Sequence, residues 1–253
     1  MKRGITELLD FMASDEECQY CLSLAMETYF RDAAELLKVK TLEPIIAALG
    51  PEVWSQVYPG VLEFFFSNEY ENPDGSGSWN VIDVFLERGG VSLTDDQTGY
   101  LRSLRQSSMS VYEVKAVDLD HSMTLVDLVE KKPPVVVLEK KMTHCVQPGD
   151  SLGLRVMKEG DHHILSGAGL RIIPALVEEL INTIRFLHGT TVMMSSMGLG
   201  RSAKDKAEKA KNEQLSRVMW APEIGAAHMR PYLELARRRK PGKAPRRKAK
   251  TVN

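Results

Sequence analysis

Two cysteines near the N-terminus have the spacing of a metal-binding or redox-active pair. Cys18 and Cys21 are separated by two residues, so their thiolates can reach one ion or each other. A zinc site needs two further ligands, for which His144 and Cys145 are the adjacent candidates. Cys18 also lies on the apolar stripe of a predicted helix, where free cysteines are commonly buried. We therefore expect both cysteines to pack in the core, and we predict neither a metal site nor a cofactor.

A pair of histidines, His162 and His163, follows Asp161 and has the chemistry of a metal site or a proton relay. Adjacent residues on a strand point to opposite faces, so the pair cannot easily share one ion. We interpret the pair as part of an exposed turn. The sequence also lacks the glycine spacing of a serine nucleophile elbow, a dinucleotide fingerprint and a phosphate loop. These patterns favour a binding protein over an enzyme.

The C-terminus is strongly basic. Nine of the 33 Lys and Arg residues lie between Arg237 and Lys250, and no acid lies among them. The other 24 bases face 34 acids, so the rest of the chain is about ten charges negative. Such a tail attracts phosphates without reading a base sequence, and its prolines and like charges predict disorder in isolation. A solvated tail without a partner is the alternative. The predicted contacts to nucleic acid, either DNA or RNA, are Arg237, Arg238, Arg239, Lys240, Lys243, Arg246, Arg247, Lys248 and Lys250.

The spacing of apolar residues predicts that residues 1–107 form a helical region. Between residues 18 and 36, apolar side chains recur at three- and four-residue steps along one stripe of a single helix. Gly50 predicts the end of a short helix, and Pro51 predicts the start of the next one. Pro59 predicts an interruption of that helix.

Three polar patterns predict helix starts in the same region. Ser14 followed by Glu17 matches a capping box, as does Thr94 followed by Gln97. Ser78 is expected to open the helical segment SWNVIDVFLERGG.

The pattern changes at about residue 108, where residues 108–190 are predicted to form a small β domain with a closing helix. In SVYEVKAVD, apolar residues such as Tyr112 and Val114 alternate with charged ones, as in a half-buried strand. Further strand candidates are SMTLVDLV, PPVVVLEK, MTHCVQ, SLGLRVMK, HHILSG and LRII, and turn residues separate them. Many short strands without helices between them predict a small antiparallel barrel or curled sheet. Leu154 is expected to face inward and Arg155 to point out.

Residues 191–236 are predicted to form an exposed helical segment. The stretch RSAKDKAEKAKNEQLSRVMW is charged almost all round, which is typical of a helix that faces solvent or a partner. The apolar residues after it could fold back on the body or dock on another protein. In the second case their spacing fits helix-in-groove anchors. The predicted partner-binding residues are Trp220, Ile224, Tyr232 and Leu235.

The region between Phe64 and Pro174 contains an aromatic helix, a PDG loop, a helix that ends in LRSLRQS, the strands SVYEVKAVD and SMTLVDLV, and a QPGD turn before GLRV and HHILSG. In this order of segments the chain resembles a group of bacterial proteins of uncharacterised function. In several of those proteins the α-then-β unit precedes a SEC-C metal-binding motif. A basic tail stands here in place of a cysteine-rich cluster. The resemblance implies an α-then-β unit and carries over no active-site residue.

The sequence as a whole predicts an α+β protein. We expect an N-terminal helical region, a small antiparallel β-barrel-like sheet, a packing helix, and an extended charged segment that ends in the basic tail of residues 237–253. No apolar run approaches the ~20 residues of a membrane span, and the acidic start is unlike a secretion signal. Three cysteines without regular spacing fit a reducing cytoplasm.

Two functional hypotheses follow from these patterns. The first is a non-catalytic binding or adaptor subunit of a nucleic-acid-associated bacterial assembly, which contacts a polyanion through its tail. The alternative is a protein–protein interaction module that docks through residues 201–235, with the tail incidental.

Overall fold

The computed structural model describes residues 2–71, 77–88, 93–195, 197 and 202–238, and it confirms the predicted α+β class. Helices precede and follow a closed five-stranded barrel. Across the described ranges, no helix is both long enough and apolar enough to cross a bilayer.

The elements before the barrel are α1 (Lys2–Ser14), α2 (Glu16–Tyr29), α3 (Arg31–Leu37), α4 (Glu43–Ser67), the hairpin β1 (Tyr70–Glu71) and β2 (Ser78–Trp79), α5 (Val81–Glu87) and α6 (Asp95–Gln106). The barrel strands are β3 (Met109–Asp118), β4 (Ser122–Asp127), β5 (Val135–Leu138), β6 (Ser151–Glu159) and β7 (His162–Ile172), and the helices after them are α7 (Pro174–Ser195), α8 (Ala203–Val218) and α9 (Trp220–Arg238).

The first helices differ from the prediction at two points. Asp15 caps α2 in place of Ser14, because its carboxylate accepts a hydrogen bond from the backbone N–H of Cys18 at 3.0 Å. The predicted single helix is divided at Phe30, which ends α2 and begins α3. Phe30 is buried and its ring stacks on that of Trp54, with 5.5 Å between the centroids. Ring packing therefore fixes the position of the break.

The long helix α4 bends at Gly50 and continues through Pro59. Gly50 has a φ of 72° and a ψ of 168°, so the predicted boundary between Gly50 and Pro51 is present as a kink. The predicted interruption at Pro59 is wrong, since the chain stays helical to Ser67. A proline inside a helix removes one backbone hydrogen bond. Burial of the aromatic residues that follow, such as the fully buried Phe64, offsets this cost.

Helices α5 and α6 both begin at side-chain caps. The predicted capping box of α6 is confirmed: Oγ1 of Thr94 accepts from the N–H of Gln97 at 3.3 Å, and Gln97 accepts from the N–H of Thr94 at 2.8 Å. Asn80, rather than Ser78, caps α5 through a bond from the N–H of Ile82 at 2.9 Å. The amide nitrogen of Asn80 also donates to two carbonyl groups at the end of α4. Asn80 thereby ties the two helices together.

The barrel has the strand order β3-β4-β5-β7-β6. Its first four strands form a Greek key with β6 beside β3, and β7 fills the gap between β5 and β6. This is the strand order of OB-type barrels. The predicted barrel is confirmed, and one pair departs from the antiparallel arrangement: β5 and β7 are parallel where Val137 pairs with His163. The predicted strand MTHCVQ is wrong, because Met142–His144 forms a short 3-10 helix, and the predicted strands HHILSG and LRII are one continuous strand, β7. The side chains buried inside the barrel are Val114, Met123, Leu125, Val137, Leu152, Leu154 and Leu165.

A buried ion pair joins the barrel to the helices. Arg155 lies at a bulge of β6 and points out of the barrel as predicted, but into the helical layer, where it is fully buried. Its guanidinium donates to the carbonyl oxygens of Leu104 at 3.1 Å and Ser107 at 2.7 Å. Its Nε lies 3.2 Å from Oε2 of Glu63 on α4. Oε1 of Glu63 accepts from the backbone N–H of Ala168 on β7 at 3.0 Å.

The last helix, α9, folds back onto the body. Trp220 is 3% exposed and Ile224 is fully buried, so the prediction of an exposed segment is wrong for this part of α9. Gly153 of β6 makes room for the helix, because a Cβ there would lie 2.2 Å from Cγ2 of Ile224. Trp220 and Ile224 therefore cannot act as the predicted partner anchors. Tyr232 and Leu235 remain exposed, at 39% and 53%.

Candidate functional site

The structure places only the first two of the predicted nucleic-acid contacts. Arg237 and Arg238 are exposed in the last turn of α9, and Nη2 of Arg238 lies 3.9 Å from Oε2 of Glu234 one turn earlier. This pair lies along the surface of α9. The predicted contacts Arg239, Lys240, Lys243, Arg246, Arg247, Lys248 and Lys250 lie outside the described residues.

The cysteine pair is placed in the core, as the packing interpretation predicts. Cys18 and Cys21 are both buried on α2, and burial raises the pKa of the Cys18 thiol to about 12 and that of Cys21 to about 11. Both thiols therefore stay protonated at neutral pH. Cys145 is exposed in the loop between β5 and β6. No group of three or more His, Cys, Asp or Glu residues is arranged to hold a metal ion in the part of the chain that the structure describes.

The histidine pair lies in the strand predicted from HHILSG and not in the turn before it, and His162 is exposed while His163 is half-buried. His162 and His163 pair with Glu159 and Lys158 across the β6–β7 hairpin, and the turn itself is formed by the two preceding residues. The pair borders a shallow pocket of about 340 Å³ at the barrel mouth, where Val136 of β5 is exposed.

The barrel mouth lacks the usual features of a nucleic-acid site. OB-type barrels bind oligonucleotides on the face that corresponds here to β4 and β5, together with the hairpin loops beside it. Single strands are held there by aromatic stacking and a basic groove. Tyr112 is the one aromatic residue between Met109 and Ile172, and that range carries eight Lys or Arg against nine acids. We therefore place the candidate site elsewhere.

The best-formed concave site lies between α3, α7 and α9, and we call it the helical groove. Its volume is about 310 Å³. Helical periodicity aligns every third or fourth residue of α7 and α9 along its walls, and two alanines of α9 leave space between the helices. The apolar floor consists of Ala33, Leu36, Leu176, Leu180, Ala226, Ala227 and Leu233. The charged rim consists of Asp32, Glu179, Glu223, Arg230 and Glu234.

Carboxylates outnumber cations around the helical groove. Arg230 is shared between two of them: its Nη1 donates to Glu179 at 3.1 Å and its Nε donates to Glu234 at 3.1 Å. These hydrogen bonds, to Glu234 and then to Glu179, raise the pKa of Arg230. Glu179 remains 63% exposed, so this ion pair lies at the surface and is weak.

Glu223 is the rim carboxylate whose negative charge is least stabilised by its surroundings. Burial raises its pKa, and the negative charge of Asp32 raises it further. Within the described ranges, these effects are opposed by Arg31, whose Nη2 lies 3.8 Å from the Glu223 carboxylate and whose Nε lies 3.5 Å from Asp32. A second cation beside Glu223 would therefore lower its pKa and gain a half-buried partner.

Sequence reasoning missed the helical groove, because its walls come from segments about 140 and 50 residues apart along the chain. One feature of the sequence could have indicated the α9 wall of the groove. Glu223, Arg230 and Glu234 follow the three- and four-residue steps of one helical face, beside the apolar face that contains Ile224.

Comparison of the chain with protein-family models, curated proteins and solved structures gives no match.

Proposed function

We propose that the protein is a non-catalytic binding protein, an adaptor whose helical groove holds a positively charged, apolar-faced segment of a partner protein. The observation that carries this proposal is the combination of a leucine- and alanine-lined floor with four rim carboxylates that are paired with three arginines, Arg31, Arg230 and Arg238. Amphipathic helices are the segments that place apolar anchors in a groove while presenting charges to its edges. The compartment we propose is the cytoplasm.

The size of the groove sets the size of the bound element. About 310 Å³ lies at the small end of the ~300–1,000 Å³ range of ligand pockets. The groove therefore holds a few large apolar side chains, and the rest of the partner helix lies across the rim. Two or three buried anchors surrounded by weak polar contacts are the usual energetic arrangement of such interfaces.

A model peptide tests this proposal without a known partner. The probe is a fluorescent peptide of about 18 residues, built from Leu and Lys with the leucines on one helical face. Its affinity is measured by anisotropy at about 0.15 M salt. The variant with Glu179→Gln, Glu223→Gln and Glu234→Gln should bind about tenfold more weakly, because each exposed charge pair contributes roughly 0.5 kcal/mol.

The matched control carries Glu16→Gln, Glu52→Gln and Glu87→Gln. These residues are exposed on α2, α4 and α5, away from the groove, and their removal changes the net charge equally. The control should bind like the wild type. If both triple variants lose the same affinity, the peptide senses net charge alone and the groove proposal is wrong.

A second candidate function is contact with a polyanion through the basic tail. It is supported by the nine bases between Arg237 and Lys250, the absence of acids among them, and the exposed position of Arg238 at the end of α9. The negative charge of the remaining chain repels phosphates. Any contact with the phosphates of DNA or RNA would therefore be made mainly by the tail.

Salt dependence tests the second candidate. Labelled single-stranded and duplex DNA and RNA of about 20 nucleotides are titrated with the full chain at two salt concentrations. If about half of the tail bases meet phosphates, the logarithm of affinity should fall with log salt at a slope of roughly −4. Deletion of residues 239–253 leaves α9 intact and should abolish binding. Unchanged affinity after the deletion would show that the tail does not make the contact.

A further inference from the structure

The outer surface of α7 carries an apolar stripe that no described element covers. Its members are exposed to an unusual degree for large apolar side chains, and we call the set the outer stripe: Phe186 (72%), Leu187 (42%), Met193 (59%) and Met194 (64%). Met197, just beyond the end of α7, is 70% exposed and extends the same surface. Contiguous exposed apolar patches of this kind mark interaction sites.

Helical geometry shows that the outer stripe is continuous. At about 100° per residue, its four α7 members and Thr190 fall within an arc of roughly 120°. The buried residue Ile184 lies on the adjacent side, facing the body. Helix α7 is therefore apolar on two neighbouring sides, and only one of them is covered. A helix with this pattern is normally packed on both.

The outer stripe also lacks charge. Residues 186–194 read FLHGTTVMM and contain no Asp, Glu, Lys or Arg, in a chain of which 26% of residues are charged. His188 in this run points to the other side, where its Nδ1 lies 2.9 Å from Oγ of Ser216 on α8. Two such surfaces can meet without bringing like charges together.

We propose that a second copy of this chain covers the outer stripe, with the two α7 helices packed antiparallel about a two-fold axis at Thr190. The stripe is self-complementary about this residue. Phe186 lies four positions before Thr190 and Met194 lies four positions after it. In the same way, Leu187 lies three positions before Thr190 and Met193 lies three positions after it. The two-fold axis therefore sets Phe186 of each copy against Met194 of the other, as an isologous interface requires. Methionine sulfur packs favourably against aromatic rings.

The area of the outer stripe reaches the lower limit for a specific dimer. Large side chains present ~150–250 Å² each, so the exposed fractions of the stripe and Met197 amount to roughly 600 Å² per copy. Two copies would bury about 1,200 Å², which is the lower limit of specific interfaces. Gly189, beside Thr190, has no side chain, and the space at its Cβ position is open within 4 Å.

This dimer goes beyond the proposed function and brings the second copy close to one end of the helical groove, because the two-fold axis at Thr190 sets Met197 of one copy against Thr183 of the other. The groove is lined by the first half of α7, from Leu176 to Thr183, whereas the outer stripe occupies the second half. A dimer would carry two grooves and two basic tails. Two linked sites raise the avidity for any partner that presents two segments or a long polyanion.

Complementary charge substitutions provide the test. Sedimentation velocity of the full chain over a wide concentration range should show a dimer of twice 28.3 kDa. The Phe186→Lys and Met194→Glu variants, each alone, should be monomeric, because a charge is placed against an apolar side chain at both contacts. An equimolar mixture of the two should dimerise again, since the two-fold axis sets Lys against Glu at one contact and Phe against Met at the other.

The control is Leu119→Lys, which changes a 59% exposed apolar residue at the β3–β4 turn and should leave the dimer intact. A wild-type monomer at all concentrations, single variants that stay dimeric, or a mixture that stays monomeric would each overturn the proposal. Peptide binding to the monomeric variants tests the groove separately, so the failure of one proposal leaves the other measurable.

Discussion

At the residue scale, the buried pair of Arg155 and Glu63 controls how the barrel sits on the helices. The Arg155 guanidinium is fully buried, and this burial lowers its pKa. The negative charge of Glu63 acts in the opposite direction, but its effect is smaller. Carbonyl groups of α4 and α6 accept from Nη1 and Nη2. Nε faces Oε2 of Glu63 at 3.2 Å, and neither atom has a hydrogen bond among the described residues. A buried ion pair is itself worth little net stability, but removal of one partner leaves the other charge uncompensated.

We therefore predict that Arg155→Met lowers the free energy of unfolding by about 3–5 kcal/mol. The double variant with Glu63→Gln should lose clearly less than the sum of the two single variants, by about 1–3 kcal/mol, because it buries no charge. Glutamine keeps an oxygen that can accept from the N–H of Ala168. Urea denaturation of the four proteins measures this cycle. Additive losses would show that Arg155 and Glu63 act independently.

A second prediction at this scale concerns pH and His228 of α9. Burial lowers the pKa of His228, although its Nδ1 lies 2.8 Å from the carbonyl oxygen of Arg171, and its Nε2 is buried without a hydrogen-bond partner among the described residues. The folded protein therefore binds this proton less tightly than the unfolded chain does. Stability is complete above the ordinary histidine pKa of ~6.5 and falls as the pH drops below it.

The His228→Gln variant cannot be protonated and isolates this effect. The difference in free energy of unfolding between wild type and variant should change steadily in favour of the variant from about pH 7 to about pH 5. Urea midpoints at matched pH values measure the difference. A difference that is independent of pH would contradict the assignment.

At the element scale, α9 is the helix on which the candidate site depends. It packs against α3, α4 and α7 and against the barrel strands, and it supplies one wall of the helical groove. Two glycines permit its close approach. A Cβ at Gly153 would lie 2.2 Å from Ile224, and a Cβ at Gly225 would lie 2.5 Å from the ring of Tyr29.

We predict that Gly225→Ala lowers the free energy of unfolding by about 1–3 kcal/mol, because the buried Tyr29 ring has no space to move. Gly99→Ala is the control. Gly99 lies inside α6 with nothing within 4 Å of its Cβ position, so alanine there should stabilise the protein by about 0.5–1 kcal/mol. Thermal or urea unfolding measures both. A neutral Gly225→Ala would show that α9 does not pack this closely.

The elements themselves were largely predictable, and their packing was not. The two-residue period and the turn residues of 108–172 are local signals, and they located all five barrel strands. They also predicted a strand at MTHCVQ, where the chain forms a short 3-10 helix at Met142–His144, and divided the single strand β7 into HHILSG and LRII. The capping box at Thr94 is equally local. The parallel pairing of β5 with β7, the burial of Arg155 and the return of α9 depend on residues far apart in the sequence. The helical spacing of Trp220 and Ile224 indicated that both side chains are buried. It could not show whether the surface that buries them belongs to the same chain or to a partner.

At the scale of the whole molecule, the described surfaces divide binding among different faces. The helical groove presents carboxylates over an apolar floor, the outer stripe presents uncharged apolar side chains, and α9 leads into the basic tail. The barrel lies between these helices and presents no basic or aromatic face of its own. The adaptor proposal relies on this separation, because each face could then contact a different partner.

The barrel also explains why the groove is preformed. Helices α4 and α6 are fixed to it by Arg155, and α9 is fixed to it by Ile224. Preformed sites lose less conformational entropy on binding than sites that must first be ordered. We therefore expect the backbone of α3, α7 and α9 to move little when a partner binds.

Hydrogen exchange with and without the Leu/Lys peptide tests the central claim most directly. The adaptor proposal predicts that the peptide slows amide exchange in α3, in the first half of α7 and in α9, and leaves the barrel strands β3 to β7 unchanged. Slower exchange confined to the barrel, or spread evenly over all acidic surfaces of the protein, would contradict it.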